Sequence, residues 1–121
     1  MENFENEKKP NLEIESSIRE IMSVLQEDPQ DFDVFECMGR LYHIIPMTKE
    51  DMGDGPEAFF SLSSEIDGHD IYILETLTKE DRHKRLFHEL LEQYIQSHGY
   101  DGEDAHKIVL EQEEKIFGKR S

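Results

Sequence analysis

Residues 58–74, AFFSLSSEIDGHDIYIL, constrain the fold more than any other stretch. Two runs of strand-forming residues flank Asp67-Gly68. Asp-Gly between such runs is a strong hairpin signal, because both positions of a tight two-residue turn need positive φ. Ile71 and Ile73 alternate with Tyr72 and Leu74, so the second strand is expected to be buried on both faces. A helix signal follows at once. Thr78 opens TKED, close to a capping box with acidic residues in its first turn, and Leu86, Phe87, Leu90, Leu91 and Tyr94 form an apolar stripe. Gly99 ends that helix. Asp101 caps another over 102–117, with Val109, Leu110, Ile116 and Phe117 inward and Gly118 as its stop.

Upstream, Ile14, Ile18, Ile21, Met22 and Leu25 recur at helical spacing. Asn11 is a plausible N-cap, and EDP at 27–29 is the stop, which predicts a first helix over about 12–26. In PQDFDVFECMG, Pro29 can open a short helix with Phe32, Phe35 and Cys37 or Met38 inward and Gly39 as its left-handed cap; a two-strand hairpin is the alternative. RLYHIIPM at 40–47 reads as a strand, and TKEDMGDGPE at 48–57 as a loop. The sum is one α+β domain over residues 11–118: a small three-stranded sheet with a β-hairpin, an N-terminal helix and two C-terminal helices. Residues 1–10 and 119–121 read as tails.

Charge narrows the function. The 121 residues carry a formal net charge of −16, unevenly spread. Residues 1–78 hold 5 Lys+Arg against 19 Asp+Glu, whereas residues 79–121 hold 8 against 10. Such a surface repels phosphate backbones, so direct nucleic-acid binding is not expected. Cys37 is the only cysteine, which excludes an intramolecular disulfide and a cysteine-based zinc knuckle. No leader-like apolar run follows MENFENEKK, and no window reaches 18 apolar residues, so the expectation is a soluble cytoplasmic protein with no membrane partner.

The chemistry-bearing residues gather in the last two helices. At about 100° per residue, His88 and Glu92 fall on one side of the long helix, where His-x-x-x-carboxylate makes a two-point metal clamp. His106 and Glu113 are seven apart and share a stripe with Val109, Leu110 and Phe117, so both are expected to be at least half-buried. A buried carboxylate needs a cation or a donor. His106 and Glu113 are expected to partner each other, Arg85 or Lys84, or a metal shared with the preceding helix. SHGYDG is short enough to make the helices antiparallel neighbours, and His88, Glu92, His106 and Glu113 could then meet in one cleft. The same four could form a metal-free hydrogen-bond network. His83 reads as a core or rim residue, and Cys37 has no acid–base partner close in sequence.

The succession DIYIL, ETLTKEDRHKR, LFHELLEQY resembles the core of small zincin-like metallopeptidases of the ImmA/IrrE type, and DFDVFECMGRLYHIIP resembles the segment preceding their hairpin. The likeness is architectural over about residues 12–95 and motif-level at His88-Glu89. It implies zinc as cofactor, His88 as ligand and Glu89 as the general base. Glu92 stands where that family has its second motif histidine, and His106 or Glu113 would supply the downstream ligand. HELLE, GYDGEDAH and EQE also resemble small proteins of phage and mobile elements in which H-E-x-x-E precedes a glycine, an Ala-His pair and a glutamate; here these are Gly99, Ala105-His106 and Glu113. A His88–Glu92–His106 set keeps two histidines and a carboxylate with an open position, and Glu113 as a fourth ligand would make the site structural. The implied function is a zinc-dependent hydrolase acting on a peptide or protein. The alternative is a non-catalytic acidic interaction protein on the same scaffold, binding a basic protein partner. A DNA mimic is a third reading.

Overall fold

The computed structural model describes residues 12–118. The expected tails at 1–10 and 119–121 and the Asn11 cap lie outside them. The first helix, α1, spans Ile14–Glu27 and buries Ser17, Ile21 and Leu25. Its start is fixed by tertiary contact, with the Glu13 N–H donating to the Tyr94 hydroxyl at 3.0 Å. It ends at Asp28, whose φ is 55° and whose N–H reaches the Leu25 carbonyl.

The segment read first as a short helix is a strand. β1 spans Val34–Cys37 and pairs antiparallel with β2, Arg40–Met47. Met38 and Gly39, both at positive φ, form the two-residue turn, so the left-handed preference of Gly39 serves a hairpin and not a helix cap. Alternation then puts Phe35 and Cys37 inward, and Phe35 stacks on Tyr42 at 5.7 Å. Phe32, expected inward, is 66% exposed at φ 69°.

β1 makes the sheet four-stranded, one more than the sequence suggested. The order is β1-β2-β4-β3, with β3 at Ala58–Leu62 and β4 at Gly68–Leu74. β2 and β4 run parallel at the centre, and β1 and β3 are antiparallel edges. The connection between β2 and β3 contains a fourth helix, the single-turn α2 over Lys49–Met52, capped by Thr48. Asp67-Gly68 does not form a two-residue turn. Ser63 Oγ accepts from the Glu65 and Ile66 N–H groups, shaping a longer loop, and Gly68 begins β4. There a Cβ would stand 2.2 Å from the Leu41 carbonyl oxygen, so the glycine serves close approach of two strands.

α3 spans Lys79–Gln96, with Thr78 Oγ1 accepting from the Asp81 N–H, and α4 spans Gly102–Phe117, capped by Asp101. These helices and α1 cover one side of the sheet. The core joins Tyr42, Ile44, Ile71 and Ile73 of the strands to Leu86, Phe87, Leu90 and Leu91 of α3, Val109 of α4 and Ile21 of α1. Tyr42 donates a buried 2.6 Å hydrogen bond to Gln93 Oε1, fixing the register of α3 on the sheet. β4 is buried on its helix side, and on its other side Asp70 and Leu74 are buried but Tyr72 only partly. No helix is long and apolar enough to cross a membrane among the described residues.

Candidate metal centre

The antiparallel packing of α3 and α4 decides which residues meet. Phe87 and Phe117 make an edge-to-face contact at 5.3 Å, locking the end of α4 against the middle of α3. The next residue, His88, therefore turns into the seam between the helices. Its Nδ1 lies 2.9 Å from Glu113 Oε2, and its Nε2 lies 3.3 Å from Glu92 Oε1. The other oxygen of Glu92 is 3.8 Å from His106 Nδ1, and the two imidazole rings are 5.0 Å apart. All four residues expected from spacing converge.

Burial sorts them. His88, Glu92 and Glu113 are largely covered, while His106 is 51% exposed, more open than its stripe suggested. The reason is the helix phase. Ala105 and Val109 take the buried line of α4, and His106 stands on its shoulder. Arg85 and Lys84, weighed as partners for this cluster, instead pair with Glu57 at 3.1 Å and Glu80 at 3.8 Å.

Among the described residues, His88, Glu92 and His106 form a group that could hold a metal ion, with one ligand atom from each within 4.8 Å of the others. Ligands around a tetrahedral zinc stand about 3.4 Å apart at ordinary bond lengths. Half-exposed His106 has the freedom to close the difference. Glu113 is not in that group. It meets the opposite ring nitrogen of His88, as a carboxylate does when it orients a metal-ligating histidine.

The electrostatics follow from crowding. Burial works against a charged His88 ring, but hydrogen bonds to Glu113 and Glu92 and the charge of Glu89 outweigh it and push the pKa up to about 9. Glu89 is 7% exposed. Burial raises its carboxyl to about 8; His88 and Arg85 oppose the rise, and Glu92 and Glu113 add to it. Glu89, Glu92, His88 and His106 line an open groove of about 340 Å³, whose opposite wall is Pro56, Ala58, Phe59 and Phe60. That wall could not be found from spacing, because β3 and α3 are joined only by the tertiary fold.

The remaining sequence candidates are explained locally. His83 bonds Asp28 at 2.8 Å on the rim, and His98 reaches the Tyr94 carbonyl at 3.0 Å. His69 stacks on Tyr42, and burial lowers its pKa. The Cys37 thiol is fully buried and pushed up to about 12, which removes it as a nucleophile. His43 lies beside Asp70 at 3.4 Å on the other side of the sheet. No family model, curated protein or solved structure matches this chain.

Proposed function

We propose that this protein is a metal-dependent hydrolase of the minimal zincin kind, with zinc held by His88, Glu92 and His106 and Glu89 as general base. The observation that carries the reading is the meeting of these three donor groups at a groove that also exposes part of a buried carboxylate, Glu89. Two imidazoles and a carboxylate suit zinc and leave a coordination position for substrate or water. When bound there, the cation supplies Lewis-acid chemistry, polarising a carbonyl and making water more acidic.

The chain's own residues supply the rest. Glu113 holds Nδ1 of His88, leaving Nε2 to face Glu92 and the cation. The ionised form of Glu89 is favoured by a cation in the site, and that carboxylate takes a proton from water as the water oxygen bonds to the carbonyl carbon. It returns that proton to the leaving nitrogen as the C–N bond breaks, so an amide and water give an acid and an amine. β3 is a sheet edge beside the groove, and an extended peptide can pair with such an edge. This geometry favours a peptide substrate over a compact small molecule.

Protein purified without an affinity tag and dialysed against micromolar zinc should retain one zinc per chain. His88→Ala should lose it while its far-ultraviolet circular dichroism stays unchanged. Glu89→Gln should keep the zinc and lose hydrolysis of a quenched-fluorescence peptide library. Absence of bound metal in the unaltered protein would overturn the assignment.

A further inference from the structure

We propose that the outer side of the sheet, the side without helices, docks a basic protein partner through an apolar segment that carries Lys or Arg. Strand alternation turns Val34, Leu41, Ile45, Phe59 and Tyr72 to this side. None of the five belongs to the core packed beneath the helices. Val34 is 50% exposed, and Leu41 and Phe59 are 38% exposed. Phe59 and Tyr72 stack across the strands at 4.9 Å, making a flat aromatic platform. The β2–β3 connection shares a shallow pocket with Leu74 at one end. Among the described residues, no helix packs on the rest. A contiguous apolar patch of this kind marks an interaction surface.

The centre of the patch is polar and incomplete. His43 and Asp70 sit opposite each other on β2 and β4, about nine-tenths buried. Asp70 Oδ2 accepts from the Tyr72 hydroxyl at 3.3 Å, while Asp70 Oδ1 and His43 Nδ1 face each other at 3.4 Å without forming a hydrogen bond. A buried carboxylate held by two contacts this long is weakly satisfied, and an incoming cationic side chain would add a stronger partner.

Charge selects the occupant. Residues 28–78, which build the sheet, contain twelve acidic side chains against Arg40 and Lys49 alone. Glu36 stands on the patch itself, opposite Leu41. A second copy would bring its own −16, and nucleic acid or an anionic membrane would be repelled in the same way. A basic protein is drawn in, and its apolar residues cover the platform.

The test titrates the full ¹⁵N-labelled chain with an amphipathic Lys/Leu helical peptide of about 14 residues. A scrambled peptide of the same composition and a Glu/Leu version run beside it. Amide shifts should cluster at 34–36, 41–45, 59–61 and 70–72, with affinity falling as salt rises. Leu41→Ser with Phe59→Ser should weaken binding at least about tenfold, while Leu62→Ser, an exposed apolar position turned the other way, should leave it unchanged. Glu36→Lys tests the charge without touching the platform and should also weaken binding. Equal binding of the scrambled peptide, with shifts scattered over the acidic surface, would overturn the proposal. So would shifts at the same residues produced by self-association of the peptide-free chain.

Discussion

The two sides of the sheet carry the same kind of group in opposite states. On the helix side, His88 has both ring nitrogens engaged by carboxylates, and the cluster opens onto a groove. On the outer side, His43 and Asp70 are just as buried, yet they face each other only at 3.4 Å, without a hydrogen bond between them. The difference teaches that a buried histidine beside an acid is not by itself a site. Convergence of several donors on one accessible point suits an ion. An unfinished pair inside an apolar patch suits a macromolecule that brings the missing partner.

The largest effect that separates the sides is structural. Leu90→Ala should cost about 2–5 kcal/mol in urea unfolding, because Leu90 is fully buried between sheet and helices. Leu41→Ala should stay within about 0.5 kcal/mol, as for an ordinary exposed position. Equal losses would mean that the outer side is covered too, and the contrast would break.

Next comes the metal. Glu113→Gln should weaken zinc binding by about 10–100-fold with His88, Glu92 and His106 intact, as expected of a carboxylate that orients a ligand. His43→Ala should leave zinc affinity unchanged. Tyr42→Phe probes the link between the sheet and α3. It leaves Gln93 Oε1 buried without its donor and should cost about 1–3 kcal/mol.

The smallest effect is on acid stability. The hydrogen bond from His83, aided by nearby Lys79 and Arg82 charge, holds the Asp28 carboxyl below its usual 3.8. A depressed folded-state value stabilises the fold above the unfolded pKa, and that contribution is lost as pH falls through the folded one. Asp28→Asn should therefore lower stability slightly at neutral pH, where the contribution is fully present, and flatten the acid limb of the stability profile below about pH 4, where it is already being lost.

The sequence revealed these features unevenly. The α3 and α4 boundaries were readable because Thr78 and Asp101 cap through their own side chains. That His88, Glu92, His106 and Glu113 would meet was readable because i, i+4 and i, i+7 spacing on neighbouring helices fixes direction as well as proximity, but spacing did not separate Glu113 from the three that could hold an ion. β1 was harder, since Gly39 suits a helix end and a hairpin turn equally, and only pairing with β2 decides between them. Gly68 was misread for a similar reason. Its lack of a side chain answers to the Leu41 carbonyl on a strand far away in sequence, which a local turn rule does not see. The groove needed β3 laid beside α3, and the exposure of His106 needed the phase of α4.

One consequence follows from where the donors lie along the chain. His88, Glu92 and His106 all fall on a single helical hairpin. A cation bound there would staple α4 to the rest of the molecule across a short loop, so its binding energy would become docking energy for the last helix. In chain order that helix follows all four strands and α3. The site would therefore act as a latch that closes once the sheet and α3 are already in place, and ion loading would report that α4 has docked.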